Sequence, residues 1–110
     1  MIIGTLIKKK ISAGEISEKI KKYSKEKIEC TPHSFFRFSE EQRKIFNCEF
    51  VKTFLLEKVP ALAGQQFNDN YALFYDFESG TFLKVIILFR LGKVVVITFY
   101  TIDRQHLPKM

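Results

Sequence analysis

The apolar positions of this chain change period once, near Pro60. Before that proline the spacing is helical. Ile16, Ile20 and Tyr23 recur at i, i+4 and i+7 behind Ser12-x-x-Glu15, the spacing of a capping box, which predicts a helix over residues 13–25. Its apolar stripe is thin, so weak docking or a partner surface is expected of it. Thr31-Pro32 begins a second helix, expected over 32–38, because Thr can cap and Pro suits the first helical position. Phe35, Phe36 and Phe38 within it are expected to be buried. Ser39-Glu40-Glu41-Gln42 is a second capping-box pattern, restarting a helix that runs to about residue 46. Asn47 caps a third piece over 48–58, with Val51, Phe54, Leu55 and Val59 at helical spacing until Pro60 ends it.

After Pro60 the pattern is that of strands. A short strand over 64–67, the turn signal Asn68-Asp69-Asn70, and strands over 71–77, 81–90 and 94–102 succeed one another in order. Turns this short between consecutive strands predict an antiparallel meander of about four strands. The last two carry Val, Ile and Phe on both faces, as the middle of a sheet would. Residues 1–7 read as an edge strand or ordered tail, broken by the lysine run 8–10, and 27–30 as a connector. Helices first and strands afterwards predict an α+β fold, with N-terminal helices packed on one face of a curved antiparallel sheet.

Composition adds a core and an asymmetry. With 46% hydrophobic residues and twelve phenylalanines in 110 residues, the chain has the material for one packed domain rather than disorder. Residues 1–27 hold eight Lys and three Glu, a net +5, whereas the remainder nets only +1. The chain therefore divides into a basic N-terminal arm with one helix (1–27) and an α+β domain (28–110). A basic arm attracts polyanions through a sequence-blind electrostatic term, or simply solvates a helix face. The apolar runs are too short to span a membrane. Lysines come after the opening apolar stretch instead of before it, so the N-terminus does not read as a secretory signal, and a cytoplasmic location is expected. Cys30 and Cys48 are accordingly expected as free thiols.

No phosphate loop, dinucleotide fingerprint, H-E-x-x-H or G-x-S-x-G occurs. Candidate chemistry rests on scattered cations, one imidazole and one phenol. On a helix, His33 and Arg37 share a face; a neutral imidazole near a helix N-terminus can act as a base, and Arg37 can hold a phosphate oxygen. The plainer alternative pairs Arg37 with Glu40 or Glu41 and leaves His33 bonded to its loop. Strict alternation places Lys84 and Arg90 on one face of their strand and puts Tyr100 with Thr98, Val96 and Val94 on one face of the next. Lining a concave sheet, Lys84, Arg90 and Tyr100 would bind an RNA backbone and stack a base; otherwise they are snorkelling charges and a core tyrosine. Cys30-x-x-His33 has a ligand-like spacing but lacks a second close pair, so no metal and no cofactor is expected.

The T-P-H-x-x-x-R start, the helix with Val51-x-x-x-Leu55, Tyr71, and the final strand Val94-Val95-Val96-Ile97-Thr98-Phe99-Tyr100 together resemble the RelE/ParE-like toxins of the barnase-like ribonuclease superfamily, nearest a branch whose helix bears H-x-x-x-R. The resemblance spans about residues 28–104. It implies a metal-independent endoribonuclease of a toxin–antitoxin pair, in which a ribose 2′-OH attacks the adjacent phosphate. His33 would then be acid or base, with Tyr100 an auxiliary acid or stacking group. Arg37, Lys84, Arg90 and Arg104 would hold RNA, and a cognate antitoxin would be the protein partner. The basic C-terminal cluster of such toxins is reduced here to Arg104, His106 and Lys109. A non-catalytic nucleic-acid- or protein-binding module of the same fold is the alternative, and a homodimer through the 13–25 helix or the first strand is a third.

Overall fold

A computed structural model describes residues 6–108. The chain's strongest β-forming runs set its architecture: β5 (Thr81–Arg90) and β6 (Lys93–Asp103) pair antiparallel along their whole length, from Arg90↔Lys93 to Thr81↔Asp103. The turn between them is Leu91-Gly92, with φ of 51° and 74°. Two left-handed residues in a two-residue loop make the type I′ geometry whose twist matches that of the strands. On the far side of β5 lie β4 (Tyr71–Asp76), then β3 (Leu62–Gln66), then β1 (Ile7–Lys10), each antiparallel to its neighbour. On the outer side of β6 lies β2 (Ile28–Cys30), which runs parallel to it.

The sheet is therefore six-stranded and mixed, in the order β1-β3-β4-β5-β6-β2, which corrects the expected four-strand antiparallel meander behind N-terminal helices. Both additional strands are short edges. The lysines at 8–10 do not break β1; they belong to it, and lysine on an edge strand keeps its charge in water while discouraging further pairing. Residues 28–30 are a strand and not a connector, too brief for a period of two to register. Residues 1–5 lie outside the described residues, and with them most of the first expected strand.

Three α-helices are seen among the described residues: α1 (Ala13–Lys21), the single turn α2 (Glu40–Arg43) and α3 (Cys48–Glu57). Their starts obey the capping chemistry. The Ser12 hydroxyl accepts from the Glu15 N–H, the Ser39/Gln42 box closes in both directions, and the Asn47 side-chain Oδ1 accepts from the Phe50 N–H. Helix α1 ends four residues before the expected position, and residues Lys25–Lys27 form a separate 3-10 turn. It also docks firmly: Ile16 and Ile20 are buried, α1 packs on α3, and the Ser17 hydroxyl donates to the Lys58 carbonyl at 3.3 Å. Val51, Phe54 and Leu55 of α3 join this core, whereas Val59 is exposed. Facing them from the sheet are Tyr75, Leu83, Val85, Ile87, Val94, Val96 and Phe99.

Two features overturn expectations that bear on the site. Opposite the step from Ile86 to Ile87, β6 moves from Thr98 to Val96, so Ile97 is an extra, bulged residue. Val94 and Val96 consequently face the helices while Thr98, Tyr100 and Ile102 face the opposite side, where strict alternation had grouped Val94 with Tyr100. Secondly, Cys30 at the end of β2 and Cys48 at the start of α3 form a disulfide, with Cα atoms 5.9 Å apart, instead of free thiols. That bond also removes Cys30 and Cys48 from any metal-ligand set.

Candidate functional site

The second face of the sheet carries its own apolar cluster, Ala72, Phe74, Phe82 and Ile86, bordered by Ile7, Leu62, Ile97, Ile102 and Leu107 and by no α-helix residue. Polar side chains interrupt this open face at Lys84 and Tyr100, which are direct cross-strand partners.

The segment after β2 brings a third group to them. The Thr31 N–H donates to the Val96 carbonyl at 3.1 Å, and its hydroxyl to the carbonyl of the bulged Ile97 at 3.2 Å. That hydroxyl is thus engaged by β6 and does not cap a helix. Beyond it the chain makes a 3-10 turn, Pro32–Phe35, and not a helix through residue 38. Phe35 packs edge-on against Phe99, and Phe38 lies between Phe99 and Phe46, with centroids 5.2 and 4.8 Å away. These two rings anchor the segment. Phe36, expected to be buried with them, is 53% exposed because a 3-10 turn points it away from the core. The next residue, Arg37, reaches the open face: its guanidinium carbon stands 4.1 Å from the Tyr100 ring centroid and 5.2 Å from that of Phe36. The Lys84 ammonium lies 5.5 Å from the same Tyr100 ring and 5.6 Å from Phe74.

Arg37, Lys84 and Tyr100 line one groove of about 360 Å³, completed by Gln66, Asn68, Asn70, Ile86, Ile97 and Thr98. No carboxylate is among these residues. Arg37 and Lys84 form no hydrogen bond or ion pair among the described residues; their partners are rings alone. The Thr98 hydroxyl, turned into this face by the bulge, is buried without a hydrogen-bond partner among them. At the rim, the Asn68 side-chain Oδ1 accepts from the Asn70 N–H at 3.0 Å and shapes a turn through Asp69, whose φ is 68°. Two uncompensated cations, a phenol and side-chain amides make a surface that favours an anion carrying a planar apolar group.

The other sequence candidates lie elsewhere. His33 is exposed and stacks on Phe36 at 5.1 Å, outside the groove. Arg90 ends β5 six residues from Lys84, on the order of 20 Å along the strand. Arg104 lies over Phe82 at 5.7 Å, beyond the groove, with its backbone N–H held by the Gly80 carbonyl. Glu41, the suggested partner of Arg37, pairs with Lys44. Several lysines of the basic arm are engaged: Lys8 with Asp69, Lys25 with Glu49, and Lys19 over Phe89. Among the described residues the strongly displaced titration belongs to Tyr75, on the helix side, where burial pushes the phenol upward. Sequence reasoning missed Gln66, Asn68, Asn70 and Thr98. Asn68 and Asn70 were visible only as turn residues, and Thr98 changes face only because of the bulge.

No family model, curated protein or solved structure matches this chain. Among the described residues no helix is long and apolar enough to cross a membrane.

Proposed function

We propose that this protein binds single-stranded RNA across the open sheet face, with phosphate held by Arg37 and Lys84 and a base placed against Tyr100. The observation that carries the reading is the placing of two cations, neither paired with a carboxylate among the described residues, over the same tyrosine ring in a groove whose described lining holds no acidic residue. Phosphate gains two charge-assisted partners there, and every base has a π-face to offer the ring.

Cleavage is the second reading, favoured by the nearness of the Tyr100 ring to both cations. Attack of a 2′-OH on the adjacent phosphate needs charge stabilisation, which Arg37 and Lys84 would supply, and a proton for the leaving 5′-oxygen, which Tyr100 would supply. The 2′-OH proton would pass to solvent water at the open groove, because His33 stands outside it. Binding therefore leads and metal-independent toxin activity comes second. An antitoxin on this reading would have to cover the same groove. We place the activity in the cytoplasm, where the Cys30–Cys48 bond would be open to reduction.

Fluorescence anisotropy with a short labelled single strand, titrated with salt, tests the first reading. Wild type should bind. Arg37→Ala and Lys84→Ala should each weaken binding and lower the slope of log K against log salt by about 0.7, the value for one phosphate contact on a single strand. Wild-type binding that ignores both substitutions would remove the groove from the function. The same strand incubated in EDTA tests cleavage: product formed by wild type and His33→Ala but not by Tyr100→Phe would establish it, and an intact strand in every sample would leave binding alone.

A further inference from the structure

An aromatic pair continues the groove beyond Arg37. Phe36 is 53% exposed, unusual for a ring with two anchoring neighbours in the same turn, and the exposed His33 imidazole stacks on it at 5.1 Å and 27°. The Arg37 guanidinium lies over both the Phe36 and Tyr100 rings, so the two centroids are no more than about 9 Å apart. Rings and cations thus alternate from Phe36 through Arg37, Tyr100 and Lys84 to Phe74, with the His33 ring stacked on Phe36 at the end of the row. A guanidinium held beside rings keeps its N–H groups for other acceptors, and their fork matches two phosphate oxygens.

We infer that Phe36, backed by His33, is a second base-stacking platform, so that the ligand is a segment of at least two successive unpaired nucleotides. One base lies on the Phe36–His33 shelf, the next against Tyr100, and the phosphate between them on Arg37. This rests on the RNA-binding reading above and sharpens it. A duplex keeps its bases stacked on one another and offers the shelf nothing, so the platform selects single strands. His33 acquires a role that does not require it to reach the reacting phosphate.

The test compares an intact single strand with a strand of the same length lacking its bases, and with a duplex, by anisotropy on wild type, Phe36→Leu and Arg37→Ala. Phe36→Leu should lower affinity for the intact strand roughly 5- to 150-fold, the loss of one base–aromatic stack, and leave affinity for the abasic strand unchanged. It should also narrow the preference for single strand over duplex. Arg37→Ala should weaken both the intact and the abasic strand. Because Phe36 is half in solvent, Phe36→Leu should retain the wild-type melting temperature, which is measured on the same samples. Equal loss on intact and abasic strands would make Phe36 a support for Arg37 and overturn the platform, as would no loss on either. Failure of wild type to bind any strand would instead fell the RNA reading, and the platform with it.

Discussion

Replacing Cys30 and Cys48 together by serine isolates what their bond contributes. The two residues are 18 apart in sequence, and the loop they close, residues 31–47, carries His33, Phe36, Arg37 and α2. In the chain-entropy description, closing a loop of that length removes freedom from the unfolded chain equivalent to about 3 kcal/mol. For a chain of 110 residues this corresponds to roughly 14 °C in melting temperature. The native loop keeps other anchors: Thr31 is bonded to β6 through backbone and hydroxyl, Phe38 is buried against Phe46 and Phe99, and Asn47 caps α3. Cys30→Ser/Cys48→Ser should therefore stay folded with near-native circular dichroism while melting well below the oxidised wild type. Reduced wild type should melt alongside the double variant.

The same loop closure bears on the groove. Arg37 comes directly after the exposed Phe36 and, among the described residues, is held by ring contacts without a hydrogen bond or ion pair, so its placement depends on the loop's frame. Reduction should weaken strand binding, yet by less than Arg37→Ala does, since Phe35 and Phe38 still hold the turn. Calorimetry on oxidised, reduced and serine-substituted protein, with thiols counted by alkylation under native conditions, checks both points. Equal melting temperatures in all three states would refute the loop-closure reasoning, and two alkylated thiols in untreated protein would refute the bond itself.

Leu91 adopts φ 51° while 90% exposed, so it bears the cost of a left-handed side-chain residue with little burial in return. Leu91→Asn should raise stability by up to about 1 kcal/mol, near 4 °C by calorimetry, and a lower melting temperature would mean that Leu91 makes contacts that matter. The Lys25–Glu49 pair ties the turn after α1 to the first turn of α3; its hydrogen bond holds the Glu49 carboxyl below its ordinary value of 4.5 and Lys25 above its ordinary 10.5. Glu49 thus contributes stability above pH 4.5 that is lost as pH falls through its lowered folded value; Lys25 contributes below pH 10.5, and that is lost as pH rises through its raised one. The stability difference between wild type and Glu49→Gln should be flat between those limits, shrink outside them and fall with salt; a difference independent of pH would show that the pair does not carry it.

Legibility from sequence tracked the physics of each signal. The long strands, with β-branched and aromatic residues and tight turns at both ends, lie close to where the turn signals and apolar runs predicted, and the caps at Ser12, Ser39 and Asn47 make the bonds their side chains predict. What failed were features without a period or a local partner. Three lysines in a row mask a strand when only its edge position makes them tolerable. Three residues are too few to show β2, whose pairing with β6 is set by a partner more than sixty positions away. The disulfide likewise joins two cysteines whose proximity depends on β2 and α3 being placed first. The His33–Arg37 pairing assumed an α-helix where the chain makes a 3-10 turn, and with that change of pitch Arg37 lines the groove while His33 stays outside it.

One irregularity accounts for most of the groove. The extra residue at Ile97 reverses the alternation of β6, turning Thr98 and Tyr100 onto the open face while Val94, Val96 and Phe99 stay with the helices. The carbonyl of that same residue accepts the Thr31 hydroxyl, which fixes where the loop bearing Arg37 departs from the sheet. An unbulged β6 carrying the same residues would send Tyr100 to the side where Val94 and Val96 pack, away from Lys84. Tyr100 and Arg37 meet because a single bulge presents one and anchors the other, and re-aiming a side chain in this way is a recurrent use of bulges in strands.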